Sequence, residues 1–235
     1  MTWISGAFLI VLITVPLLSW WSARKHGADV VEQLCGHRIQ FYAFSALTQW
    51  ALTGLSLLVI WHDGQTVADI GLHPWRSWMA TVSLGLRLMV ALGMIMAAIL
   101  WMQRKRRWSE THILMAILPE TKVEKGAFVA LAATAGFCEE MLYRGFVITR
   151  LIQATDHPPS AVILAVIIFS LGHGYQGLIG LLRAGTLGAV LAATFVLTGS
   201  MVPGMISHFL FDALAGFWGR KLLGSDEFQT MACGK

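Results

Sequence analysis

Charge is what this sequence has too little of. Only 13% of its 235 residues are Asp, Glu, Lys or Arg, about half the roughly 25% of an ordinary soluble domain. That deficit excludes a disordered, self-repelling chain, a basic nucleic-acid-binding domain and a globule with an ordinary water-facing surface. Cysteine is scarce as well. Cys35, Cys138 and Cys233 are an odd set with no CxxC pair, which excludes a disulfide framework and a Cys-based zinc site. No segment alternates apolar and polar residues as barrel strands do, and there is no internal repeat. The first apolar run has neither a basic leader nor a small-residue cleavage site, so it is expected to be a retained helix.

What is abundant is apolar: 56% of residues are hydrophobic and the mean hydropathy is +0.66. Crossing ~30 Å of hydrocarbon takes about 20 residues. Seven stretches qualify, at roughly 3–22, 41–61, 79–102, 126–150, 160–176, 180–199 and 202–222. Only helices satisfy their own backbone in such segments. The expected fold is therefore all-α, a polytopic transmembrane helical bundle of about seven spans. Residues 1–119 would supply the N-terminal membrane helices and loops, and 120–225 the motif-bearing helices of the same integral bundle. A short amphipathic helix is expected around Ile113, Leu114, Ile117 and Leu118 at the membrane surface, and Ala184, Gly188 and Ala192 should allow close helix packing.

The net charge of +4 takes its meaning from position. Loops on one side of the bundle carry Arg24, Lys25, Arg38, Arg104, Lys105, Arg106, Arg107, Lys122, Lys125, Arg220, Lys221 and Lys235, while Arg76 and Arg150 stand on the other. That asymmetry predicts an N-terminus outside and a C-terminus in the cytoplasm. It also makes the run Arg104 to Arg107 a topology anchor, with no nucleic-acid partner implied.

Eight ionisable residues lie away from the span ends or in the motif region: Arg87, Glu139, Glu140, Arg144, His173, Arg183, His208 and Asp212. Each charged one costs at least ~2.5–3.5 kcal/mol near the bilayer centre, so it must be paired, wet or used. Arg87 and Arg183 read as pairing or snorkelling residues. The other six fall in three short clusters. Glu140 and Arg144 are four apart and can pair on one helical face. Glu139 points about 100° away, which leaves one carboxylate free to act as a general base. His208 and Asp212 share the same spacing, so the Asp can orient the imidazole. Two histidines and a free carboxylate from three helices can activate water directly, or hold a divalent metal such as zinc through Glu139, His173 and His208. Cys138 and Ser170 are weaker nucleophile candidates, because neither has a complete partner set nearby.

Glu139-Glu140-x-x-x-Arg144, Phe169-x-x-x-His173 and His208-x-x-x-Asp212, in that order, resemble the three signature motifs of the CAAX-protease and bacteriocin-processing family. These are intramembrane endopeptidases akin to the type II CAAX prenyl proteases. The resemblance implies that Glu139 activates the attacking water with help from His173, and that Glu140 and Arg144 form a supporting pair. It further implies that His208 and Asp212 polarise the scissile carbonyl, and that Phe169 packs the His173 helix. Many members carry Asn where this chain has Asp212. The family is catalogued as metalloprotease, yet the same residues serve a metal-free glutamate mechanism. Implied partners are the lipid bilayer and a peptide or protein substrate, such as a prenylated CAAX tail, a bacteriocin precursor or a membrane-protein segment. A proton-coupled carrier and a non-catalytic scaffold or bacteriocin-immunity protein are the competing functions.

Helix counting leaves one problem for the structure. Glu139 should lie ~20 Å from the cytoplasmic end of its span, whereas His173 lies near that end of its own. The two can meet only if the fifth span is short or the stretch Gly172 to Gly177 dips into the bundle.

Overall fold

The computed structural model describes residues 2–34, 36–108 and 112–223, and every regular element among them is helical. In chain order these are α1 (Trp3–Leu34), α2 (Arg38–His62), α3 (Trp78–Arg106), α4 (His112–Ile117) and α5 (Lys122–Glu139). A π-helical segment (Glu140–Ile148) continues α5 into α6 (Thr149–Thr155). Then come α7 (Pro158–Gly172), a 3₁₀ turn (Gly174–Gln176), α8 (Gly177–Thr198) and α9 (Val202–Leu223). Cys35 and Cys233 lie outside the described residues.

Local chemistry sets the boundaries. Thr121 and Glu124 close a reciprocal capping box at the start of α5, which satisfies two backbone donors that a helix N-terminus leaves open. Ser77 caps α3 by accepting from the Ala80 N–H, and Pro158 and Pro159 open α7, where their missing N–H groups cost nothing. Gly199 ends α8 at a φ of 70°. The next turn is pinned from the loop before α3. Gly71 accepts from the Met201 N–H at 3.0 Å, and Ser200 donates to the His73 carbonyl at 2.5 Å. Gly71 itself has a φ of 92°, and a Cβ there would lie 2.8 Å from the Gly199 carbonyl.

Four helices are long and apolar enough to cross a membrane: Trp3–Ser22, Arg38–His62, Trp78–Arg106 and Gly174–Thr198, with Pro158–Gly172 a shorter apolar helix. These are the ones found among the described residues, and the expected count of seven is not confirmed. The stretches that fall short, α5 through α6 and α9, are the ones that carry the ionisable clusters and many small residues. Here α9 packs on α5 and α3, and α5 packs also on α2. All of the π-helical segment except Tyr143 is buried. Around it gathers the main apolar core, including Leu9, Leu12, Ile60, Ile70, Phe146, Ala165 and Phe195.

The connection around α4 also differs from expectation. Ile113, Met115, Ala116, Ile117 and Leu118 are all buried, so this short helix tucks under the bundle instead of lying on a surface. Its core partners are Val31, Leu34 and Tyr42. At this end Arg38 pairs with Glu120 at 2.5 Å and Glu124 at 3.3 Å, and Arg220 pairs with Glu120 at 2.7 Å. These bonds tie α2, α5 and α9 together. Burial alone would raise the Glu124 carboxyl, but N–H donors from Thr121 and Glu120 and the Arg38 guanidinium outweigh it and hold it below its ordinary range. At the opposite end Asp63 pairs with Arg150 at 3.1 Å and accepts hydroxyl bonds from Thr2 and Ser5. Those hydroxyls, with His62 and Arg150, overcome the cost of burial and lower its pKa too. Arg87 lies on the exposed side of α3 and bonds back to Ser83.

Candidate active site

The site forms where the α5–π-helix junction meets α9. Gly136, one turn before the two glutamates, makes the approach close. A Cβ on it would stand 2.8 Å from the Phe209 nitrogen and 3.0 Å from its Cα, so only hydrogen fits between the two backbones. This crossing brings His208 against the glutamates. Gly204, one turn earlier on α9, leaves space for the Glu140 carboxylate, whose Oε2 would lie 2.8 Å from an added Cβ.

Glu140 and Arg144 form the expected ion pair at 3.0 Å, with both side chains at or below 2% exposure. They do so on a π-helix rather than an α-helix. Its wider turn is rare and is found mostly at functional sites. Arg144 also donates to the Gly188 carbonyl at 3.2 Å and lies 4.8 Å over the Phe169 ring. One arginine thereby joins the π-helix to α7 and α8.

His208 is nearly sealed and stands among three carboxylates. Its Nδ1 meets Glu140 Oε1 at 3.0 Å, and its Nε2 faces Asp212 at 3.5 Å and Glu139 at 3.8 Å. The orienting hydrogen bond therefore comes from Glu140, not from Asp212 as the four-residue spacing suggested. An ionised carboxylate only accepts, so Nδ1 carries the proton in this bond.

Glu139 differs from its neighbour in burial and in pairing. Glu140 is fully buried and paired, whereas the Glu139 side chain is 15% exposed. Among the described residues Glu139 pairs with no Lys or Arg. Its Oε1 accepts from Gln49 Nε2 of α2 at 3.3 Å, and its Oε2 is buried with no hydrogen-bond partner. Asp212, at 31%, is the most open carboxylate of the three.

His173 reaches the site because α7 is short. The helix stops at Gly172 after 15 residues, and His173 is its C-cap. The spans inferred from hydropathy ran this helix on to 176; the Gly174–Gln176 turn replaces its end. His173 Nδ1 meets the Phe169 carbonyl at 3.0 Å, and a carbonyl requires a donor, so Nε2 is left as the acceptor nitrogen. Phe169 separates the two imidazoles. Its ring centroid is 4.7 Å from that of His173, 6.3 Å from that of His208 and 5.0 Å from that of Tyr143, and a Cβ on Gly188 would touch it at 3.0 Å.

The trio Glu139, His173 and His208 does not fit a metal ion in this arrangement. Both nitrogens of His208 face carboxylates, Nδ1 of His173 is held by a backbone carbonyl, and no group of three or more His, Cys, Asp or Glu gathers to hold a metal among the described residues. Ser170 donates to the Leu181 carbonyl at 3.2 Å and Cys138 is fully buried, so both are engaged in packing. Sequence reasoning missed Gln49, the close approach of α9 at Gly136 and the Glu140–His208 bond.

No curated protein and no solved structure matches the chain. The family resemblance read from the three motifs is borne out by a family model. Residues 124–214, which hold Glu139, Glu140, Arg144, Phe169, His173, His208 and Asp212, match the model of the Rce1-like type II CAAX prenyl endopeptidase family.

Proposed function

We propose that this protein is an intramembrane endopeptidase that hydrolyses a peptide bond in a membrane-associated peptide or protein, with Glu139 as the base that activates water. One observation carries the reading. Of the two adjacent glutamates, Glu140 is sealed and neutralised by Arg144, while Glu139 is partly open and pairs with no Lys or Arg among the described residues.

In the proposed reaction Glu139 takes a proton from water as the water oxygen attacks the scissile carbonyl carbon. His173, with Nε2 as an acceptor, helps hold that water. The tetrahedral oxyanion develops near His208, whose ring is fixed by Glu140 so that Nε2 can donate to it. Removing one such donor typically costs ~2.7–4 kcal/mol of transition-state stabilisation. Asp212 favours the proton on Nε2. The C–N bond then breaks, and the amine leaves with the proton that Glu139 acquired. No step requires a metal. The substrate class that the family description names is a prenylated C-terminal tail, and apolar helices around the site suit a chain anchored in lipid.

The test is cleavage by the purified protein in proteoliposomes, using a prenylated CAAX peptide and a membrane-anchored unprenylated peptide, each with and without chelator. Chelator-resistant cleavage of a membrane-held peptide is the expected result. Activity that disappears with chelator and returns with zinc would overturn the metal-free mechanism, and no cleavage of either peptide would favour the scaffold or carrier.

We also propose an orientation with the N-terminus outside and the C-terminus in the cytoplasm, and that residues 120–225 contribute the catalytic helices to one inseparable bundle. The Lys/Arg asymmetry supports the orientation, as does the gathering of Arg38, Glu120 and Arg220 at one end, opposite Asp63 and Arg150. A cysteine at position 106 should be labelled by an impermeant reagent only from the cytoplasmic side. Labelling from outside would reverse the topology.

A further inference from the structure

We propose that Gln49, on α2 and outside the family-matched segment, is a positioning residue that fixes the Glu139 carboxylate for proton transfer. The inference rests on the reading of Glu139 as the base. Gln49 Nε2 donates to Glu139 Oε1 at 3.3 Å. At an amide the nitrogen and oxygen ends are assigned from their surroundings, and here the assignment has one solution, since only the NH₂ end can bond an ionised carboxylate.

The contact selects between the two oxygens of Glu139. With Oε1 held by Gln49, Oε2 is the oxygen that lies 3.8 Å from His208 Nε2 and lacks a hydrogen-bond partner. A glutamate side chain held at its far end loses the freedom to turn that oxygen away, and catalytic geometry tolerates little misplacement. The supporting frame is rigid at this level. The next residue, Trp50, stacks on Phe137 of α5 with centroids 5.3 Å apart, and α2 packs along α5.

A purely structural role explains Gln49 poorly. Its own Oε1 is buried with no hydrogen-bond partner, and a buried amide kept for packing is normally satisfied at both ends. The donor end is used on Glu139, and the acceptor end remains available to the water or peptide N–H that enters.

The titratable and charged groups around Glu139 are His208 and Asp212 from α9, Cys138, Glu140, Tyr143 and Arg144 from its own continuous helix, and His173 and Tyr175 from the α7–α8 turn. Gln49→Leu leaves all of these and removes the amide, its donor to Glu139 and its unpartnered oxygen together. Gln49→Glu keeps the shape and adds a like charge.

The experiment is the pH profile of kcat/KM for wild type, Gln49→Leu, Gln49→Glu and Glu139→Gln on the reconstituted peptide substrate, with melting curves for each. For Gln49→Leu the acidic limb should move to higher pH by about one unit, because a donor to the ionised carboxylate is lost, and kcat should fall roughly tenfold with KM nearly unchanged. Gln49→Glu should move the limb at least as far. A merely structural residue would scale the profile down without shifting it. Should Gln49→Leu fail to fold, the near-isosteric Gln49→Glu decides. An acidic limb left at its wild-type position in that variant would overturn the proposal. The Glu139→Gln arm separates the two failures: if that variant still cleaves, the base assignment is wrong, and if it is inactive while the limb stays fixed, only the role of Gln49 is wrong.

Discussion

Glu139→Gln should abolish peptide cleavage, lowering kcat by roughly 10²–10⁴-fold, the usual contribution of general acid–base catalysis, while leaving the melting transition close to wild type. The substitution preserves shape and keeps an oxygen to accept from Gln49, so the α2–α5 contact survives. What disappears is the carboxylate that takes a proton. The structural cost is small because Glu139 balances no Lys or Arg among the described residues and its side chain is partly open. Turnover and melting curves on the same preparation check both halves of the expectation. A variant that cleaves at near-normal rate would remove Glu139 from the chemistry, and one that fails to fold would make it a structural residue.

Arg144→Ala should do the reverse and act first on stability. Its guanidinium neutralises Glu140, which is fully buried, at 3.0 Å, bonds the Gly188 carbonyl and covers the Phe169 ring. Removing one partner of a buried ion pair strands the other charge, typically at ~3–5 kcal/mol. The stranded group here is the same carboxylate that holds His208. The variant should therefore melt well below wild type in detergent and below Glu139→Gln. Arg144→Lys should fall between, because an ammonium restores charge without the planar fork that reaches Glu140 and Gly188 together. Equal melting of Arg144→Ala and Glu139→Gln would contradict the separation of a structural glutamate from a catalytic one.

Much of this was legible before any coordinates. Hydropathy and the absence of strand periodicity led to an all-helical bundle. The four-residue spacing led to the Glu140–Arg144 pair, and the three clusters led to one site. The count of seven spans was not confirmed, since four helices among the described residues are long and apolar enough to cross a membrane. The ionisable and small residues that build the site lower the apolar signal of α5 through α6 and α9, which pack on each other. The π-helical turn over Glu140–Ile148 left no trace in the sequence pattern, because an α-helix of the same residues also aligns Glu140 with Arg144. Gln49 was invisible for another reason. A single amide in an apolar span gains meaning only when the fold sets it beside Glu139, 90 residues away in sequence. The Glu140–His208 bond likewise depends on how closely Gly136 lets α9 approach, and glycine advertises the possibility of close packing but not its partner.

The central claim is that Glu139 and His208, carried by different helices, act as one hydrolytic unit. It is tested most directly by a double-variant cycle of Glu139→Gln and His208→Ala, read as kcat/KM on the reconstituted peptide substrate with folding verified by melting. Groups that act as a unit lose nearly everything when either is removed. Each single variant should therefore be severely impaired, and the double variant should be little worse than the weaker of the two. Losses that multiply across the cycle, as independent residues would give, or a double variant that still turns over substrate, would contradict it.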